Sequence, residues 1–407
     1  MCIRDSLATL INVLLSFQNS ARGFVRVAAI RVSFIVDNNP GTTGDGSFLY
    51  SAPVDTCGKY TIDPIPHNRS YFESQLRAVS NYFKSVSYDN FGIDTDNSMV
   101  FPLEEESSYI LPQEMNYYHP FNEDDIHDER ITKLFRDAVE TAYATDSIDF
   151  SIYDHIVVFH AGIGQDFSLP FLDPTPEDIP STFVDIEMLD KYLGGALQIS
   201  NAIINQGIIL PETQNHLFFE ESENIFLNAD EPCDYQYGLT GTFALMLGFA
   251  IGLPPLWDTE SGQSGIGIFG LMDQGSNNGR GLIPAPPDAW TRKYVGWENS
   301  MNILPPVAIN LPSRSKNNII EVSINNNEYF LIENRTNWYR ENMYIDSIRY
   351  LMYEQSQRYP PFVEILFDSL SICLLYTYPS PRDATISRMA SYAGKKRRRG
   401  GGGGGGG

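Results

Sequence analysis

A segment without a polar face, Thr240 to Ile251, places the strongest constraint on how this chain folds. Its letters, TGTFALMLGFAI, contain no charged residue. A helix on a protein surface needs a polar side, so a helix of this composition has to be buried on all sides. The segment is too short to cross a bilayer, which takes about 20 apolar residues. The sequence therefore predicts an enclosed helix, a pattern that equally fits a core helix that never carried a functional site.

Three motifs follow this helix in order: Gly252-Leu253-Pro254, then Gly270-Leu271-Met272-Asp273, then a closing segment from Trp290 to Trp297. Together they resemble the catalytic core of the immune-inhibitor-A-type secreted metallopeptidases. That family has a zinc helix H-E-x-x-H-x-x-G-x-x-D, a methionine-containing turn (the Met-turn) and a W-x-x-x-x-x-G-W segment. A further match, EYFLIENR at Glu328 to Arg335, lies after the core. The resemblance covers about Val25 to Arg335.

This resemblance implies an α/β fold. It would have a metzincin-like mixed sheet, a zinc-helix equivalent starting near Gly238 and a Met-turn, followed by a β-rich C-terminal segment. Residue patterns support the expected elements. Strands are predicted at Arg26–Asp37, Tyr153–His160, Ile319–Ile324 and Glu328–Ile332, and helices at Asn68–Val86, Asp128–Ala144 and after Pro287.

The zinc motif itself is missing from the zinc-helix equivalent. Counting from Gly252, the two histidines fall on Leu245 and Phe249, the glutamate on Met246 and the aspartate on Pro255. Zinc requires lone-pair donors, and the glutamate acts as general base on zinc-bound water. Leucine, phenylalanine and proline side chains donate nothing, and methionine sulfur suits copper(I) better than zinc. The sequence therefore predicts that zinc and its chemistry are lost.

The resulting interpretation is a catalytically inactive homologue, a pseudopeptidase, that acts as a binding module. Its ligand would be an unknown peptide, protein or glycan, and no cofactor is expected. Two alternatives stay open. One is an active metallopeptidase or other hydrolase with displaced metal ligands, and the other is a structural secreted domain without a ligand cleft.

Two histidines and three acids are the remaining candidate site residues. His160 precedes a glycine-rich turn at the end of a strand, and His216 is the other histidine that a displaced metal site would use. Asp258, Glu260 and Asp273 flank the missing zinc site in loops, where hard oxygen ligands suit Ca²⁺. The alternative is that His160 has only a structural role and that the three acids are solvated loop side chains.

The two ends of the chain have a different character from its middle. The starting letters MCIRDS and the stretch from Cys373, with its terminal glycine run, resemble translated sequencing-adapter read-through. Leu7 to Phe17 has the length and apolarity of the core of a signal peptide, which predicts export. The expected organisation is an artefact at 1–6, an export-signal remnant at 7–23, a metallopeptidase-like domain at 24–300, a truncated β-rich continuation at 301–372 and an artefact at 373–407.

Charge and cysteine content fit a secreted protein. The formal net charge is −23 at pH 7, and the tail from Cys373 is itself basic, so the remainder is more acidic still. Such a surface repels nucleic acid and anionic membranes. No segment is long and apolar enough to suggest a transmembrane helix. Cys57 and Cys233 are the two cysteines outside the tails, and they either pair in an oxidising compartment or remain thiols.

Overall fold

A computed structural model describes residues 21–51, 61–167, 173–216, 236–259, 261–312, 316–325 and 328–335, together with a strand at 386–390. Several of the sequence predictions lie outside the described residues. They concern the apolar segment Leu7 to Phe17, both cysteines Cys57 and Cys233, and the candidate ligand Glu260.

The described part of the chain alternates strands and helices. The strands are β1 Gly23–Val25, β2 Val27–Ser33, β3 Phe91–Ile93, β4 Met99–Phe101, β5 Tyr109–Ile110, β6 His155–Ile163, β7 Thr182–Val184, β8 Leu197–Ile199, β9 Ala202–Ile204, β10 Gly207–Thr213, β11 Ser300–Asn302, β12 Ile319–Ser323, β13 Glu328–Ile332 and β14 Ile386–Ala390. The α-helices are α1 Arg69–Val86, α2 Met115–Tyr118, α3 His127–Asp146, α4 Ile186–Leu193, α5 Leu239–Ala250 and α6 Ala289–Tyr294.

The central sheet of the first unit, which runs to Trp297, is mixed. Its strand order is β4-β2-β6-β10-β7. Strand β5 also pairs with β2, on the same side as β4 but nearer the C-terminal end of β2. Strands β2, β4, β5, β6 and β10 all run parallel to one another. The edge strand β7 pairs with β10 in the antiparallel direction. The α/β class and the mixed sheet predicted from the sequence are therefore confirmed.

Helices cover both faces of this sheet. On one face α1 and α5 pack together, and the ring of Phe159 in β6 lies 4.5 Å from Phe72 of α1 and 5.6 Å from Phe243 of α5. On the other face α3 packs beneath β10, where the ring of Phe135 lies against Gly207. Since β6 and β10 are buried along their whole length, the sheet forms the middle of a three-layer core.

The predicted helices form close to their predicted bounds because their end signals are local. The side chain of Asn68 accepts a hydrogen bond from the Tyr71 amide and caps α1. In the same way, Asp288 caps α6 through the amides of Trp290 and Thr291. The first predicted strand ends sooner than expected, at Ser33, because Phe34 turns to bond Gly46 rather than a neighbouring strand.

A second unit comprises Glu298–Thr336 and the C-terminal residues from Ser380. Its sheet has the order β11-β12-β13-β14, and β12 and β13 are an antiparallel pair. Both of these strands were predicted from the sequence, at Ile319–Ile324 and Glu328–Ile332. The smaller unit is thus all-β in its described residues.

None of the helices in the described ranges has both the length and the apolarity needed to cross a membrane. The longest, α3, has 20 residues, but charged side chains line its outer face.

Candidate functional site

The candidate site is built around α5, the helix that the sequence identifies as the zinc-helix equivalent. The helix begins after Gly238 and ends at Ala250, and nine of its twelve residues are buried. Gly252 follows with a φ of 86°, a backbone conformation that favours glycine. The Leu253 amide then bonds the Gly248 carbonyl at 2.9 Å, which closes the helix end. The glycine of the motif therefore has a conformational reason to be there.

Apolar side chains stand at the positions where the resemblance would place the zinc ligands and the general base. Met246 is buried, with 9% of its surface exposed, and Leu245 and Phe249 are half-buried against the core. Pro255 is exposed and has no side-chain donor. None of these four residues offers the nitrogen or oxygen donor that zinc requires, so this set does not fit the metal that the family resemblance implies.

The Met-turn packs directly beneath the helix. Met272 is fully buried, and a Cβ added at Gly248 would meet its sulfur at 2.7 Å. The carbonyl of Met272 accepts a hydrogen bond of 2.9 Å from the amide of Leu256, in the loop that follows α5. Helix, loop and turn thus form one continuous packing unit.

Three aromatic side chains contact one another around Phe249, at a position where the resemblance would place a zinc-binding histidine. The ring of Phe249 stacks on Phe183 of the edge strand β7 at 6.1 Å and meets the Trp257 ring edge-on at 5.6 Å. All three are half-buried, so part of each ring faces solvent. We call Phe183, Phe249 and Trp257 the aromatic cluster. Sequence reasoning identified Phe249 but missed its two partners, because neither is near it in the chain.

His160 is enclosed in the core. Its ring is fully buried, Nδ1 lies 2.9 Å from the Ala161 carbonyl, and the Phe34 ring is 6.2 Å away. Burial lowers the pKa of His160 to about 4, and the pKa of His155, on the same strand, also to about 4. A neutral, buried imidazole of this kind is typical of a structural role. The strand continues past His160 to Ile163, so His160 lies within β6 and not at the strand end that the sequence predicted.

These buried histidines predict acid sensitivity. A pKa lowered in the folded state means that the unfolded chain binds more protons between pH 6.5 and 4, so stability falls as pH falls through this range. We expect His160→Gln to reduce the difference in unfolding free energy between pH 7 and pH 4.5 by about 2 kcal/mol. Urea denaturation at the two pH values measures it.

Asp178 supplies a control of opposite sign. Burial raises the pKa of this carboxyl to about 7, so its contribution to stability falls as pH rises towards neutrality. Asp178→Asn should therefore enlarge the difference that His160→Gln reduces. Equal responses of both variants would show that neither group titrates as its burial requires.

His216 lies beside a different polar group. Burial raises the pKa of the Asp166 carboxyl, and the electrostatic interaction with His216 is one of those that act in the opposite direction. The Asp166 carboxylate accepts hydrogen bonds from the Ser181 amide at 3.0 Å, the Ser181 hydroxyl at 2.7 Å and the Gln214 side chain. In the described part of the chain, no group of three or more His, Cys, Asp or Glu residues has a geometry that could hold a metal ion.

The calcium candidates have other partners. One oxygen of Asp273 accepts four hydrogen bonds, from the Ser264 hydroxyl and from the amides of Gly265, Ile266 and Gly267, at 2.8 to 2.9 Å. Its other oxygen accepts from the Gln274 amide. These donors occupy the directions a cation would use, so Asp273 organises the Met-turn loop. Asp258 accepts from the amide of Ser261, in an exposed turn.

A buried polar network at the start of α5 was missed by sequence reasoning. The Asp63 carboxylate accepts hydrogen bonds from the α5 amide of Leu239 at 2.9 Å, from Thr213 at 3.0 Å and from Gln75 at 3.0 Å. Its position satisfies one of the free amides at the helix N-terminus. Because the three partners are far apart in the chain, no local pattern announces this network.

A charged pair adjoins this network. His67 Nδ1 and Glu212 Oε1 are 3.3 Å apart, and both side chains are fully buried. Burial lowers the pKa of His67, but the interactions with Glu212 and Asp63 together outweigh burial, so the pKa is raised. The backbone carbonyl of Asp63 lies 2.8 Å from the other ring nitrogen. With both charged groups fully buried, the pair serves structure and is closed to ligands.

Comparison with known proteins leaves the family open. The chain matches no protein-family model, no curated protein and no solved structure. The resemblance to immune-inhibitor-A-type metallopeptidases therefore depends on the sequence motifs alone.

Proposed function

We propose that this protein is a catalytically inactive, metzincin-like homologue of a secreted metallopeptidase that binds an extended peptide. The observation that carries the proposal is the aromatic cluster. Phe249 occupies the position of a zinc-binding histidine, and its ring joins the edge strand β7 to the loop after α5 through Phe183 and Trp257. A zinc site has been replaced by an apolar surface that is partly open to solvent.

The edge strand favours a peptide as the ligand. Within the described residues β7 pairs with β10 and with no other strand, so its second edge is unpaired in that part of the chain. An extended peptide adds to such an edge through main-chain hydrogen bonds, and alternate side chains then contact the same face. Here that face includes Phe183, so we infer a preference for apolar or aromatic side chains at every second peptide position.

The proposal is tested by fluorescence anisotropy with the full chain. The probe is a labelled peptide of alternating phenylalanine and threonine flanked by lysines, and the comparison peptide has alternate amides N-methylated. We expect binding of the first peptide and loss of binding with the second, because methylation removes the donors that an edge strand requires. Equal binding of both peptides would rule out strand addition and leave ring stacking, as with a glycan, as the mode of recognition.

Trp257→Ala should weaken peptide binding by about 30-fold, as expected for a central aromatic anchor. Phe24→Ala is the matched control, because Phe24 is also a surface aromatic, 52% exposed, but lies on β1. Unchanged affinity in Trp257→Ala, or equal losses in both variants, would contradict a binding role for the cluster.

A further inference from the structure

A second site lies at another edge of the sheet. A pocket with a volume of about 480 Å³ is lined by Ile35, which follows β2, by residues 113–126, which follow β5, and by Arg130 of α3. This volume falls in the range of about 300–1,000 Å³ that is typical of small-molecule sites. The pocket shares no residue with the aromatic cluster, so the inference does not depend on the proposed peptide function.

The topology of the sheet makes this location a favourable one for a ligand. After β2 the chain passes to α1, on one face of the sheet, and returns to β4. After β5 it passes to α3, on the opposite face, and returns to β6 on the other side of β2. The connections that leave β2 and β5 therefore pass to opposite faces of the sheet at the end where these two parallel strands finish. Connections that diverge in this way leave a crevice between them, and open α/β sheets bind ligands in such crevices.

Arg130 is the cation in the wall of this pocket. Its guanidinium carbon lies 3.8 Å from the centre of the Tyr117 ring. Its Nη1 is buried and has no hydrogen-bond partner among the described residues. Arg130 is also the fourth residue of α3, close to the helix end where the dipole disfavours positive charge. An arginine that lies near the helix end disfavoured for positive charge, and that has a buried nitrogen without a partner, is typical of a functional position.

The other lining residues complete the chemistry. Glu114 and Glu123 are exposed carboxylates in the lining, and Ile35 and Ile126 add apolar surface. A guanidinium binds a carboxylate through two parallel hydrogen bonds, and a carboxylate binds an ammonium group. We propose that the pocket binds a small zwitterion, a free amino acid or dipeptide with apolar side chains. Arg130 would hold its carboxylate, and Glu114 or Glu123 its ammonium group.

Calorimetric titration of the full chain with leucyl-leucine tests this assignment, with the C-terminal amide of the same dipeptide as comparison. We expect the dipeptide to bind and the amide to bind about tenfold or more weakly, because the amide has no negative charge and only one of the two acceptor oxygens that a guanidinium pairs with. Binding of the amide with the affinity of the acid, or no heat from the acid at millimolar concentration, would overturn the proposal.

Variants at Arg130 give a second readout. Arg130→Gln should lower the affinity for the dipeptide by the same factor as amidation of the dipeptide does for the wild type. The affinity of Arg130→Lys should lie between those of the wild type and Arg130→Gln, since lysine keeps the charge but not the planar guanidinium. Arg77→Gln, at an exposed arginine of α1, should bind normally. Thermal unfolding establishes that each variant is folded. Undiminished binding by folded Arg130→Gln would overturn the assignment, and if that variant does not fold, the amide comparison decides.

Discussion

Met246→Glu, which introduces the carboxylate that the resembled zinc motif carries at this position, is expected to destabilise the domain by at least about 3 kcal/mol. The Met246 side chain is buried, 9% exposed, in a helix whose neighbours are apolar. A carboxylate placed there loses its hydration and gains no cation. The cost should be smaller at pH 5 than at pH 8, because a buried carboxyl with a raised pKa can take up a proton. Urea denaturation of variant and wild type at both pH values measures this difference.

Two controls separate charge burial from other effects. Met246→Leu keeps the apolar volume and should cost less than about 1.5 kcal/mol. Ile203→Glu introduces the same carboxylate at a site that is 69% exposed and should change stability little. If Met246→Glu were as stable as Met246→Leu, the volume around Met246 would be hydrated, and the account of a filled site would be wrong.

Adding Leu245→His and Phe249→His to Met246→Glu is expected to lower stability further. Phe249 is the ring that contacts both Phe183 and Trp257, and the smaller, polar imidazole of histidine would weaken both contacts. Pro255 still supplies no third ligand, so zinc would not compensate. Recovery of stability on adding zinc to the triple variant would show that the helix is poised for the metal after all.

Breaking the buried pair of His67 and Glu212 has the second large effect. Glu212→Leu should cost about 3–5 kcal/mol, because it leaves the imidazole buried without its charge partner. The double variant His67→Leu with Glu212→Leu should be more stable than the sum of the single losses predicts, with a coupling energy of about 2 kcal/mol. Unfolding free energies of wild type, both single variants and the double variant provide the cycle.

A surface ion pair is the matched control for this cycle. Lys133 and Glu129 lie 2.5 Å apart at i,i+4 spacing on the solvent side of α3. Pairs of this kind contribute little, because water screens them, so Lys133→Ala should leave stability almost unchanged. Additive losses at His67 and Glu212 would mean that the two side chains do not interact.

The parts of the fold that could be predicted are those with local signals. Asn68 marks the start of α1, and the glycines on either side of α5 mark its ends. Strands β4, β5 and β7 could not be predicted, because each has three residues or fewer. Such strands exist through pairing with distant partners, and their own sequence carries almost no alternation.

The same distinction applies to the candidate site. The helix, the glycine turn and Met272 follow one another in sequence, and the resemblance to the metallopeptidase family implied their order. The aromatic cluster joins residues 183, 249 and 257, and the buried network joins residues 63, 213 and 239, across the whole first unit. Contacts of this range depend on the sheet topology, which brings the edge strand β7 beside α5.

Zinc content tests most directly whether apolar packing stands around Met246 where the resembled family holds zinc. The measurement is elemental mass spectrometry of the full chain, purified after expression in zinc-supplemented medium and dialysed against metal-free buffer. The account predicts a zinc content close to zero per chain. One tightly held zinc ion per chain would contradict it and would make His160 and His216 the first residues to replace.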